Sequence, residues 1–348
     1  MAVRDVVQAA AGVGGDKLYV EDVFSTYLYT GNGSTQTITN GIDLDGEGGL
    51  VWGKARSTGG LFHSLNDTAR GASKSIFSND TSSQITGNYV TAFNSNGFSI
   101  GNNAYLNYNN EPTVSWTFRK SPKFFDCGTY TGNGSSTNTI LHNLDAVPGF
   151  IVVKRIDSTG NWVVAAGNSS GNYLQLTLNS PLQSYVSAPK TNIATSTTFN
   201  AGYLGTNFDG SANVNGASYV YYMFASNAGG FGDDGEQNII SCGSFTTDGS
   251  ANATVNLGYE PQWVLIKSVD NSDSWFILDN MRGWVTGSND ARLLPNSSLQ
   301  EQTGSNYGNI TSTGFVANGS YYANSKHIYI AIRRGPMKTP ESGTEVFA

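Results

Sequence analysis

Tyr29-Thr30-Gly31-Asn32-Gly33-Ser34 comes back as Tyr130-Thr131-Gly132-Asn133-Gly134-Ser135, and in looser form as Phe245-Thr246-Thr247-Asp248-Gly249-Ser250. In each copy an aromatic strand end runs into a Gly/Asn/Asp turn, whose residues take positive φ at little steric cost. A Thr-Ile or Thr-Val step follows: Thr37-Ile38, Thr139-Ile140, Thr254-Val255. A repeat governs the whole fold, so it is read before any motif.

Working outward, each copy continues into a short apolar run ending in lysine: Gly49-Leu50-Val51-Trp52-Gly53-Lys54, Gly149-Phe150-Ile151-Val152-Val153-Lys154 and Gln262-Trp263-Val264-Leu265-Ile266-Lys267. These read as buried strands emerging into solvent at the lysine. Eight residues on stands an aromatic, Phe62, Trp162 or Trp275, and further on a strand ending in Asn79, Asn179 or Asn296. Each unit closes on an alternating strand, Val114 to Arg119, Tyr219 to Phe224 and Ile328 to Arg333. The lysines stand 100 and 113 residues apart, the length of a compact domain and far beyond a solenoid repeat. Short runs rich in Val, Ile, Tyr, Phe and Thr, broken by Gly/Asn/Ser/Asp, indicate antiparallel sandwiches.

The expected fold is therefore all-β, three tandem antiparallel β-sandwich (jelly-roll-like) domains behind a short N-terminal arm. The boundaries are 1–22 for the arm, 23–120, 121–229 and 238–337 for the repeats, 230–237 for a Gly/Asp-rich linker that lets the third domain swing, and 338–348 for a tail.

Composition narrows the function. Only 13% of residues are charged and the net charge is −7, so the basic surface that general nucleic-acid binding needs is lacking. Aromatics at 12% give cores of this size enough to bury. No apolar run approaches the roughly 20 residues of a membrane-spanning helix, and Met1 to Gly15 has no hydrophobic signal core, so synthesis in a cytoplasm is expected. Cys127 and Cys242 occupy matching places in two repeats, so they are expected as free thiols in separate domain cores.

Chemistry finds little to work with. His63, His142 and His327 fall at unmatched positions, and no metal, thiol, acyl-transfer or phosphate-loop motif is present, so no catalytic residue, metal or cofactor is assigned. Asp43-Leu44-Asp45-Gly46-Glu47 reads as a solvated turn, since it lacks the twelve-residue calcium-ligand pattern. Leu65 to Gly71 and Leu278 to Gly283 share an Asp and an Arg, read as an arginine bonding a carboxylate or loop carbonyls; the second repeat has Ala165-Ala166 instead. Candidate binding residues are those of two exposed polar loops: Asn168, Asn172 and Tyr173, with Tyr203, Asn207 and Phe208. Val3, Val6 and Val7 give the arm a small apolar face; the arm is either a frayed terminus or a segment that orders on docking.

The Tyr-Thr-Gly-Asn-Gly turn, the strand Pro148 to Lys154 and the junction Trp116 to Asp126 resemble a repeated domain of virion proteins from marine tailed bacteriophages, including cyanophages. The resemblance spans about residues 19 to 337 and carries no catalytic residues. It implies a structural, tail-associated virion protein, a homotrimer, partnered by other virion proteins and by a host-surface glycan or protein. A capsid or tail decoration protein is the alternative, and a glycan-degrading enzyme the third reading.

Overall fold

The computed structural model describes residues 17–338 apart from 168–171, 185–191, 205–211 and 288. It is built almost wholly of antiparallel strands, as an all-β sequence requires. Three large sheets share one order. An opening strand (Phe24–Thr30, Phe125–Thr131, Ile240–Thr246) lies beside a closing strand (Pro112–Arg119, Ser218–Phe224, Lys326–Arg333). Next comes the lysine strand (Gly49–Ala55, Phe150–Arg155, Pro261–Ser268), then a fourth strand (Ser64–Asp67, Trp162–Ala166, Phe276–Asp279). Register repeats with order: Lys54 faces Val114, Lys154 faces Val220 and Lys267 faces Ile328. Two more strands follow in each segment; in the third they form a separate hairpin, Asp290–Arg292 with Gln302–Ser305, joined to the fourth strand by an Ile277–Leu293 bridge. A small sheet around Gln36–Thr39, Thr139–Leu141 or Ala253–Asn256 accompanies each large one.

The recurring turn explains its own glycines. A Cβ at Gly31 would sit 2.2 Å from the Tyr108 carbonyl oxygen, and one at Gly132 would sit 2.1 Å from that of Val214. Gly33 and Gly134 take φ of 68° and 66°. The asparagines brace both turns, since Asn32 and Asn133 accept the Ser34 and Ser135 amides. Asp248 does the same for Ser250 in the looser third copy.

Alternation along the strands gives each large sheet two buried faces. One face, carrying Trp52, Trp116 and Phe118, Val152, Tyr222 and Phe224, and Trp263, Ile330 and Ile332, feeds a single cluster that runs through all three segments. Phe118 is its hub, with ring centroids 5.6 Å from Phe224 and 5.7 Å from Trp263. The opposite face packs on the small sheet: Val51 with Ile38, Phe77 and Phe98 in the first segment, Val264 with Phe276 and Phe315 in the third.

Several expectations change here. The lysines do not emerge into solvent; Lys54, Lys154 and Lys267 are fully buried, each donating to the next residue's carbonyl at 2.5 to 2.7 Å. Burial pushes each of them down to about 8, because the charged form loses water. The aromatic spacing misleads by one in the first segment. Lys154 pairs with Trp162, but Ser64 pairs with Gly53, so the matching position is His63, and Asn79 accepts its amide as Asn296 accepts that of Trp275. The supposed swinging linker is packed: Phe231 is buried, it bridges to Gln237, and the Gly232 amide donates to Leu18. Residues at the end of the expected arm join the body, with Val20 in the shared cluster beside Val23 of the first repeat and Glu21 accepting the Met337 and Lys338 amides. Both thiols are free, but they lie where segments meet. Cys127 Sγ is 3.9 Å from the Gly49 carbonyl oxygen and Cys242 Sγ 3.3 Å from that of Ala225.

Candidate interaction surface

The segments meet in a closed set of three seams. The Gln84 amide donates to Ile156 at 2.9 Å, the Leu182 amide to Val269 at 2.8 Å and the Glu301 amide to Arg56 at 2.7 Å. Each acceptor stands two residues after its segment's lysine. Beneath these bonds, Trp162 Nε1 donates to the Phe77 carbonyl and Trp275 Nε1 to that of Gln175. His63 takes the third seat, buried against the backbone of Leu294. Burial holds its imidazole well below the usual range, and the charges of Lys54 and Arg282 add to the effect.

Two seams carry a buried ionic group. In the first segment Arg70 Nε donates to Asp67 at 2.6 Å and Nη2 to the Leu65 carbonyl at 2.8 Å; Tyr222 of the second segment reaches across to the same carboxylate at 2.7 Å. In the third, Arg282 binds Asp279 and the Ile277 carbonyl in the same way, and Trp116 Nε1 of the first segment donates to Asp279 at 2.9 Å. The shared Asp/Arg pair is thus structural, as its residues suggested. Arg282 Nη1 goes on to Glu301, which Arg56 grips with two bonds of 2.7 and 3.0 Å.

On the surface, a cleft of about 640 Å³ opens at the seam of the third and first segments. The hairpin carrying Arg292 and Gln302 forms one wall, Leu299 to Glu301 another, and Gly59 closes the end. The Arg292 guanidinium lies over the Tyr307 ring at 4.6 Å while its Nε donates to Gln302 Oε1 at 2.9 Å. Under the cleft, Asp290 accepts the Tyr307 amide, and burial raises its carboxyl to about 6, with the amides of Tyr307, Gly308 and Val285 opposing. Leu299 is exposed on the cleft itself, and other exposed apolar side chains lie away from it. Tyr108 and Tyr322, 50% and 45% exposed, flank equivalent turns, since the Gly31 turn closes on Tyr108 and the Thr247 hydroxyl donates to the Tyr322 carbonyl.

The residues singled out from sequence are not gathered into this cleft. Asn168, Asn207 and Phe208, and the arm's Val3, Val6 and Val7, lie outside the described residues. Asn172 and Tyr173 belong to a strand, Asn172–Gln175, where loop was expected, and Tyr203 is half-buried in the 3₁₀ turn Ala201–Leu204. Register supplies a link that the sequence hid. Tyr173 opposes Gln183 as Arg292 opposes Gln302, and Ser75 holds that place in the first segment opposite Ile85. Arg292 and Tyr307 were missed because they belong to one copy only; aligning the copies by strand register would have exposed Arg292 as the odd residue. Among the described residues no group of three or more His, Cys, Asp or Glu could hold a metal ion, and no helix is long and apolar enough to cross a membrane.

Sheets stacked through a common apolar core, with polar side chains tied into the seams, define an all-β protein of the β-sandwich class. Residues 20–336 match the family described as a domain of unknown function, DUF7483, and the chain belongs to that family. A search of curated proteins finds no match.

Proposed function

We propose that the chain is three tandem β-sandwich repeats closed into a ring, and that it serves as a structural, tail-associated bacteriophage virion protein. In this reading the arm with Val3, Val6 and Val7 anchors it to other virion proteins and the sandwiches face the host surface. The resemblance of the turn and lysine-strand motifs supports the setting. The observation that carries the reading is closure: Asp67, Arg70, Tyr222, Trp116, Asp279 and Arg282 all serve to hold neighbouring copies around one core. A particle exposed to dilution and proteases needs such a body, in which each copy is locked by two neighbours.

Antibody labelling of virions tests this. Signal confined to the tail, with purified protein binding host but not non-host cells, is the expected result; unlabelled particles would overturn it. The second reading, a decoration protein acting by protein contacts alone, gains from the internal threefold arrangement, which suits a threefold-symmetric site on a capsid. It expects label over the whole head and no cell binding.

A further inference from the structure

We infer that the cleft at the seam of the third and first segments binds an anionic sugar unit of a polysaccharide, with Arg292 as the residue that recognises its acid group. The inference supplies the ligand class for the attachment reading and rests on it only for its biological setting.

The guanidinium is set up for that role before any ligand arrives. Stacking on Tyr307 fixes its plane, and the Nε bond to Gln302 fixes its rotation about that stack. Nη1 and Nη2 make no ion pair among the described residues, although the same seam uses Arg56 and Arg282 to bind Glu301. Three carboxylates, Glu301, Asp290 and Asp273, act in this region, and none of them makes an ion pair with Arg292 among the described residues. Glu301 is held by those two arginines, and Asp290 is buried on the Tyr307 amide. A planar fork with two free N–H groups matches a carboxylate in bidentate geometry, and it also takes sulfate or phosphate esters.

The rest of the cleft suits the sugar. Gln300, Thr303 and Ser305 offer exposed amide and hydroxyl groups, able to donate to and accept from ring hydroxyls, while Leu299 gives an apolar edge. Its volume of about 640 Å³ falls inside the ~300 to 1,000 Å³ of small-molecule sites. The chain as a whole is acidic, so long-range attraction does not draw a polyanion in. Binding must come from the local fork and its neighbours.

Full-length protein is tested by calorimetry at moderate salt against polygalacturonate, dextran sulfate and neutral dextran. Binding to one or both anionic polymers, with none to dextran, is expected; the carboxylated and sulfated arms distinguish the source of the acid group. Arg292→Gln should lower affinity at least about tenfold, the scale of one charge-assisted hydrogen bond. Arg292→Lys, which keeps the charge without the fork, should fall between. An unchanged melting temperature in both variants separates lost recognition from lost folding. Equal binding of dextran, no binding to any of the three polymers, or wild-type affinity in Arg292→Gln would overturn the assignment. A chain that binds acidic polysaccharide but does not label virions would sink the virion reading and leave this site standing.

Discussion

The seam between the first and second segments and the seam between the second and third solve the same packing problem with opposite chemistry. At the first, Asp67 holds Arg70 and receives the Tyr222 hydroxyl from across the seam, all of it buried. At the second, strand register puts Ala166 opposite Phe150 and Ile330 opposite Leu265, the places held by Asp67 opposite Leu50 and by Tyr222 opposite Val152. The acid, its arginine and the facing donor are present together or replaced together. That joint replacement is what electrostatics demands, because a buried carboxylate without its partners costs several kcal/mol, whereas an alanine and an isoleucine in those places carry no charge to desolvate. The polar group is therefore one way of filling a seam, used at two of the three.

Substituting the acid breaks the comparison most severely. Asp67→Ala or Asp279→Ala deprives a buried guanidinium of its nearest carboxylate, and stability should fall by about 3 to 5 kcal/mol, read by urea denaturation. Arg70 should suffer more than Arg282, since among the described residues Arg70 Nη1 has no hydrogen-bond partner whereas Arg282 Nη1 still has Glu301. Equal losses at the two sites would show that the Glu301 link adds nothing.

Removing only the cross-seam donor is milder. Tyr222→Phe keeps the ring in the core and deletes one bond to a carboxylate that Arg70 still holds, so a loss of about 1.5 to 3 kcal/mol is expected. A double-mutant cycle with Asp67→Asn should return most of that as coupling; additivity would mean that the hydroxyl is not read by the acid.

The buried lysines sharpen the contrast from the other side, because they are common to all three segments. Each has a folded value near 8 against about 10.4 in the unfolded chain, so between those values the unfolded state holds more protons. Stability should therefore rise as pH increases from 7 to 9, by roughly 1 kcal/mol per lysine. Lys154→Met should remove about one third of that slope. A flat or falling profile would mean that the carbonyl bonds keep the ammonium groups charged.

Much of this was legible in the residues. Turn glycines and strand alternation follow from local sterics and burial, so they can be read from a single copy, while the repeated order emerges when the copies are laid side by side. What could not be read depends on contacts between copies. Lysine usually marks the surface, and only the carbonyl acceptors and neighbouring segments of the folded chain make its burial tolerable. His63 was hidden for a related reason: one extra residue in the turn after Lys54 shifts the register, and the aromatic Phe62 beside it satisfied the spacing by coincidence. Arg292 was hidden because a repeat-based reading discards what only one copy contains.

The smallest effect should come from the apolar seam, and it bears most directly on the comparison. Ile330→Val removes one methylene from a fully buried position, at an expected cost of about 0.5 to 1.5 kcal/mol, with no pH dependence. Ala166→Asp places an acid at the position matching Asp67, on an opening it shares with Ser226, Ser244 and Lys326. It should cost more than Ile330→Val and recover in part as pH falls, since protonation removes a half-buried charge. Pairing Ala166→Asp with Ile330→Tyr rebuilds the acid and its donor without the arginine. If that double variant is more stable than Ala166→Asp alone, the donor and the acid form a unit that can be moved between seams. If it is not, the arginine anchors the group, and the hydroxyl only follows it.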